Sequence, residues 1–336
     1  MKFEELGKSS RLLMHAALRP LQGDRFQPTG FADLGAAVYT LPDQDGKKGS
    51  RMLLLESAQS VANRLEKACL EGDGPHIDQA LQGLPYVVCK LTGLGEELET
   101  SSLIEAHRIA SPFFLGNKEF AAKLTLEMAY DKRRLLDWRK IYATLFKYDP
   151  NCLLHGVFLS LLDGGRVRTP RAITGFIEAG EVEPVITGGV KNSSVDPKGN
   201  LQATEADFDK GVYSNVPYSR IEYTAARITA YFNLDLALIR GYGLSKAAQD
   251  LLVGLALFKV RRFLNRDLRL RTACDLTPID GLHADAPPAF IIPGEEELLA
   301  AVHSGILACT KEGLFSHPPV TVITTPVTLK EKVKRD

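Results

Sequence analysis

Paired cysteines, clustered histidines and phosphate-binding glycine fingerprints are all missing from this sequence. The five cysteines (Cys69, Cys89, Cys152, Cys274, Cys309) are odd in number and widely spaced, with no CxxC pair. That speaks against a disulfide framework or a zinc site and fits a reducing cytoplasm. The seven histidines (His15, His76, His107, His155, His283, His303, His317) are scattered, and none has a partner four residues away. No P-loop, dinucleotide glycine motif, GxSxG or HExxH occurs, so a metal or hydrolase centre finds no support. No apolar run is long enough to span a bilayer and the first residues carry no charged-then-apolar leader, so no membrane segment is expected. Net charge is missing too. With 41 basic and 41 acidic residues, a general polyanion coat is excluded while a local basic groove is permitted.

What is present suffices for a large core: 336 residues, 45% of them hydrophobic, make one large domain with insertions or two domains. The stretch LLLESAQSVANRLE from Leu53 organises the chain. Met52 to Leu55 has the length of a buried strand, and Val61, Ala62 and Leu65 then recur at helical spacing, with Ser57 or Ser60 as the cap. A helix start carries free N–H groups and partial positive charge that suit a phosphate. Ser57, Gln59, Asn63 and Arg64 would add side-chain donors there; an ordinary capped helix with a solvated polar face is the competing reading.

Strands are expected at Arg11 to Leu21, Leu84 to Leu91, Cys152 to Leu162, Tyr223 to Leu238, Leu268 to Ala273 and Val320 to Val327. Helices are expected at Thr100 to Ala110, within Lys118 to Lys147, from Thr169 to Ile177, at Ser245 to Leu264 and at Glu295 to Leu307. The order is that of a split βαβ, ferredoxin-like α+β fold. In the loop Gln22 to Gly35, Gln22, Arg25 and Gln27 lie beside Phe26 and Phe31. Donors interleaved with aromatics suit single-stranded nucleic acid, and a surface loop pinned by two phenylalanines fits equally. His107 and Arg108 fall near the end of the expected Thr100 helix, where cations complement the dipole. Arg166 and Arg168, two apart in an extended segment, would point the same way toward a helix starting at Thr169-Pro170, with Arg171 just inside it. They read as a phosphate site or as surface salt bridges. Between Lys259 and Arg271 there are six basic residues and one acid, clustered where a helix dipole favours them. His155, inside an apolar run, reads as a core histidine. Gly180 to Pro217 has little apolar periodicity, and so long an insertion is usually functional or disordered.

Five stretches in order carry a family resemblance: RPLQGDRFQPTGFADLGAA from Arg19, LLLESAQSVANRLE from Leu53, TSSLIEAHRIASPF from Thr100, GGRVRTPRAITGFIEA from Gly164 and NVPYSRIEYTA from Asn215. Together they resemble the RAMP-superfamily backbone subunit that binds CRISPR RNA in type I, Cascade-like surveillance complexes, most closely its type I-G (formerly I-U) members. The resemblance implies an RNA-recognition-motif-like palm at 1–69 and 151–336, a helical finger insertion at 70–150 and a hairpin thumb at 182–222. In that family the first palm helix opens with a serine, glutamine, serine pattern along the RNA backbone, matched here by Ser57, Gln59, Ser60 and Arg64. Where the family usually has more basic residues, this chain has Val61-Ala62-Asn63, and Arg25, Arg166, Arg168 and Arg171 are expected to compensate. The expected RNA-binding set is Gln22, Arg25, Gln27, Ser57, Gln59, Ser60, Asn63, Arg64, His107, Arg108, Arg166, Arg168 and Arg171. No catalytic residue, metal or cofactor is implied. Expected partners are CRISPR RNA, target DNA through the guide, further copies in a head-to-tail filament and other complex subunits, in the cytoplasm. Two alternatives stand beside this: a metal-dependent RAMP ribonuclease using Asp24 or Asp33, and an enzyme on a small phosphorylated substrate using Arg166 and Arg168.

Overall fold

The computed structural model describes residues 3–31, 35–72, 74–95, 98–162, 165, 167–195, 197–198, 215–266 and 268–328. The expectations for Asp33 and Arg166, and for the thumb over 199–214, lie outside these residues. The first part of the chain forms β1 (Arg11–Pro20), β2 (Gly30–Phe31), β3 (Gly35–Thr40), β4 (Arg51–Glu56), α1 (Ala58–Lys67), β5 (Tyr86–Thr92) and β6 (Leu98–Ser101). Four helices follow, α2 (Pro112–Leu115), α3 (Lys118–Glu127), α4 (Trp138–Tyr148) and α5 (Asn151–His155), then β7 (Val157–Phe158) and β8 (Arg168–Thr169). Next come β9 (Ile173–Lys191), β10 (Val216–Asp235), α6 (Leu236–Gly241) and α7 (Lys246–Arg266). The last elements are β11 (Arg269–Arg271), β12 (Cys274–Pro278), β13 (His283–Ala286), α8 (Glu295–Lys311) and β14 (Val320–Pro326).

The fold is mixed α+β around an antiparallel sheet of nine strands in the order β11-β12-β1-β10-β9-β4-β3-β2, with β13 pairing beside β1. In β1, Leu12, Met14, Ala16 and Leu18 are buried while their neighbours are not, the period-two pattern of a strand with one face on the core. Residue α1 positions Val61, Ala62 and Leu65 are likewise buried, and the Ser57 side chain caps the helix by accepting from the Ser60 N–H. The long helix α7 has buried residues on every side and packs against α1 and α8, as an all-round apolar helix must. A smaller sheet, β14-β5-β6, has β14 parallel to β5.

Four expectations give way. Thr100 to Ala110 is not a helix: Thr100 and Ser101 pair with Cys89 and Val88 in β6, and only Arg108–Ala110 forms a helical turn. The segment 70–150, expected as a helical insertion, holds β5 and β6 as well as helices, and its sheet is completed by β14 from the end of the chain. Cys152 to Leu162 is α5 followed by a two-residue strand, separated by Gly156 at φ 76°. Cys152 to Val157 are buried without a break while Phe158 and Leu161 are exposed, and an unbroken apolar run is a pattern that periodicity alone cannot assign to strand or helix. Thr169 does not start a helix; its hydroxyl accepts from the Val157 N–H, and Ile173 onward alternates buried and open as β9.

At the end of β4 the register slips between Leu54 and Glu56, and the Glu56 carboxylate is buried at 1% exposure. It receives Arg64 Nη2 at 3.0 Å, Arg271 Nη2 at 2.6 Å and the Ser60 hydroxyl, so α1, β4 and β11 meet on one carboxylate. Removing one member of such a group strands the others without compensation. Glu56→Ala is expected to lower unfolding stability by about 3 kcal/mol in a urea titration; a loss below about 0.5 kcal/mol, the range of ordinary surface substitutions, would show that the arginines find water instead.

Candidate nucleic-acid interface

The turn at residues 105–110, the end of α5 and the β7–β8 hairpin enclose one cleft of about 410 Å³, lined by His107, Arg108, His155, Phe158, Arg168 and Arg171 among others. Arg108 is its anchor. Buried and in the left-handed region at φ 53°, it donates through Nη2 to Glu66 Oε2 at 2.8 Å and through Nη1 to the Gly156 carbonyl at 3.0 Å. Arg171 reaches back to α1, donating to the Gln59 side-chain oxygen and to the Ala58 carbonyl at 3.5 Å. Gln59 in turn donates to Asn63 Oδ1 at 2.9 Å. Arg168 is exposed and lies over the half-exposed Phe158 ring at 6.0 Å, the arrangement of a cation on an aromatic face. Burial first, and then the charge of Arg108, pull the Arg171 pKa down. Neither Arg168 nor Arg171 has a salt-bridge partner among the described residues.

Of the expected residues, His107, Arg108, Arg168 and Arg171 therefore line one cleft, and Gln59 and Asn63 adjoin it through Arg171. Ser60 and Arg64 are turned to Glu56, and Arg64 also donates to the Leu270 carbonyl at 2.7 Å. Ser57 is exposed at the cap. Gln22 and Arg25 line a second cleft of about 290 Å³ beside Asp24, Arg220, Glu222 and Asp275. There Arg25 Nε lies 3.7 Å from Glu222, and Gln27 accepts from Arg220 at 3.2 Å. Phe26, at 1% exposure, pins that loop against Tyr223. The basic cluster on α7 is largely internal: Arg261 donates to the Ile292 and Pro293 carbonyls, and Arg262 pairs with Asp78 at 2.8 Å. Among the described residues no group of three His, Cys, Asp or Glu side chains is placed to hold a metal ion, and no helix is long and apolar enough to cross a membrane.

Residues 12–184 match the sequence profile of the family described as CRISPR-associated protein GSU0053. The chain belongs to that family. No curated protein matches this family member. Among solved structures it is similar to a chain of a "CRISPR RNA-guided surveillance complex, pre-nicking", at 13% identity and TM-score 0.42 over 90% of this chain and 86% of that one. A chain of a "CRISPR RNA-guided surveillance complex" gives 13% identity and TM-score 0.36, covering 90% and 83%. Csc2 of Thermofilum pendens gives 9% and 0.30, covering 91% and 78%. At these scores the likeness is loose.

Sequence reasoning read His155 as a core histidine and Lys259 as part of a basic cluster at a helix end; both are buried, and they meet each other. Lys259, with 0% exposure, donates from Nζ to His155 Nε2 at 2.8 Å and to the Asn151 side-chain oxygen; Asn151 donates to Asp149 at 3.0 Å. Burial, then the charges of Lys259, Arg108 and Arg171, hold the His155 pKa well below its usual value. A group with a depressed folded-state pKa that is neutral when deprotonated takes up its proton in the unfolded chain first, so stability is lost as pH falls below about 6.5. The slope from this residue approaches about 1.4 kcal/mol per pH unit in that window. Between pH 7 and 5 the native chain should lose stability more steeply in denaturant titrations than His155→Phe/Lys259→Met; parallel curves would remove His155 as the source of the slope.

Proposed function

We propose that this family member is a non-catalytic RNA-binding scaffold of a CRISPR surveillance complex, which grips the backbone of a guide RNA without reading its sequence. The observation that carries the proposal is the cleft that Arg171 joins to the start of α1, where, among the described residues, Arg168 and Arg171 stand without carboxylate partners beside an exposed aromatic ring. Unneutralised guanidiniums at a helix start suit phosphates, and a ring suits a base or ribose. Bases left free for pairing would then read the target, the division of labour in guided recognition.

The strand order supports an RNA-recognition-motif-like palm. Taken as four strands, β1, β9, β10 and β12 lie in the order β12-β1-β10-β9, with α1 between the first pair in sequence and α7 between the second, which is the split βαβ arrangement. We assign the segment 70–150, with its mixed sheet and helices, as fingers, and the far part of the β9–β10 hairpin as the thumb. Ile186 and Ile221 pair directly across that hairpin and are 82% and 54% exposed, with Val190 following on the same face. An apolar ribbon reaching past its own core calls for a partner surface. A neighbouring copy meeting it head to tail gives a heterologous contact that builds an open filament.

Two outcomes test the reading. Arg168→Ala/Arg171→Ala should weaken binding about equally for unrelated single-stranded RNAs. It should also flatten the slope of log affinity against log salt by roughly 1.4, about 0.7 for each lost phosphate contact; a lower melting temperature with an unchanged slope would make both arginines structural. Ile186→Asp/Ile221→Asp should leave a folded protein whose mass no longer grows with added RNA in mass photometry, and undiminished growth would remove the hairpin from the assembly contact.

A further inference from the structure

Leu135 is 97% exposed, the highest value of any large apolar side chain among the described residues. An isolated exposed leucine is ordinary, but this one stands in the sequence DKRRLLDWRK of residues 131–140, where five cations, Lys132, Arg133, Arg134, Arg139 and Lys140, outnumber Asp131 and Asp137. All five cations are exposed. The segment runs from the α3–α4 connection into the first turn of α4 and is anchored from below. Leu136 packs on the core, and the Trp138 ring lies 5.5 Å from Tyr142, which lies 4.6 Å from the buried Tyr242. So rooted, the loop holds Leu135 outward between two groups of cations. Both carboxylates are engaged by the backbone, Asp131 accepting from the Arg133 N–H at 2.8 Å and Asp137 capping α4 through the Lys140 N–H at 3.1 Å. Their ion pairs, to Arg134 at 3.4 Å and to Lys140 at 3.9 Å, are solvent-exposed and contribute little. Arg133 and Arg139 have no ion pair among the described residues.

A positive segment in a chain of zero net charge suits a polyanion, and the apolar group in its midst decides which kind. Single strands are held by flat rings on which bases stack. Here the Trp138 ring is engaged with Tyr142, and the group that projects is aliphatic. An aliphatic side chain flanked by cations is suited to enter a minor groove and part a base step, with the cations on the backbones to either side. The B-form minor groove is about 6 Å wide, which admits a leucine. We infer that residues 131–140 are a sequence-independent contact for duplex DNA, in which Leu135 wedges into the minor groove while Arg133 and Arg139 hold phosphates on either side. This goes beyond the single-stranded RNA cleft and does not rest on it, since the two surfaces share no residue.

The full-length protein, titrated with a mixed-sequence duplex DNA labelled at both ends, should bind it and bend it, read as anisotropy and as a rise in energy transfer between the ends. Wedges of this kind kink DNA by about 20–90°. Arg133→Ala/Arg139→Ala should flatten the slope of log duplex affinity against log salt by about 1.8, roughly 0.9 for each phosphate contact on B-form DNA, and leave the affinity for single-stranded RNA unchanged. Leu135→Ala should keep the salt slope and abolish the bend; so exposed a side chain adds nothing to the core, and the fold is retained. A native chain that does not bind duplex DNA, or an unchanged slope in the double variant, would overturn the inference. An equal loss on single-stranded RNA would overturn it too, by making the segment a general phosphate patch. Energy transfer unaltered by Leu135→Ala would refute the wedge, as would the same Leu135 effect on duplex RNA, whose minor groove is wide and shallow. If the native chain binds duplex DNA but no single-stranded RNA, the cleft reading falls and this one stands.

Discussion

The buried pair of Glu66 and Arg108 is the constraint on which the cleft depends. It joins the last turn of α1 to the turn at 105–110, and through the Gly156 carbonyl it also fixes the chain as it leaves α5. Three segments remote in sequence are thereby held at the places where His107, Arg171 and His155 approach one another. The pair is a weak source of net stability, because two desolvated charges largely offset their own attraction. Its effect is on geometry. Arg108 occupies a left-handed backbone conformation, which costs an ordinary side chain on the order of 1 kcal/mol, and its three side-chain hydrogen bonds offset that cost only in this one arrangement.

The cations of this chain divide by what they touch. Arg64 and Arg271 meet on Glu56, Arg25 and Arg220 on Glu222, and Arg262 on Asp78. Except for Arg220, which shares β10 with Glu222, each of these ties one segment of the chain to another. Arg168 and Arg171 touch an aromatic ring, a carbonyl and an amide. The overall charge is zero, yet among the described residues no carboxylate is paired with Arg168 or Arg171. A polyanion meeting this surface therefore experiences a local field that the net charge does not reveal.

Local patterns were legible wherever one face is buried and the other open. The alternation in β1, the stripe on α1 with its Ser57 cap, and the long apolar helix α7 were readable because burial imposes the period of the element. Patterns failed where burial is all-sided or where pairing overrides propensity. The Cys152 run is helix and the Thr100 run is strand because of what packs around them, and no window of sequence contains that neighbour.

The sequence by itself determined the family, through motifs spread from the early loop to the middle of the chain, and the residue types available for an anion. Only the tertiary structure decided which of them are free. Ser60 and Arg64 lie within the motif but face a buried carboxylate, whereas Arg168 and Arg171 line the cleft with no carboxylate partner among the described residues. The reason is physical: a side chain's chemistry is fixed by its covalent structure, while its availability depends on the partners that folding brings within about 3 Å, the reach of a hydrogen bond.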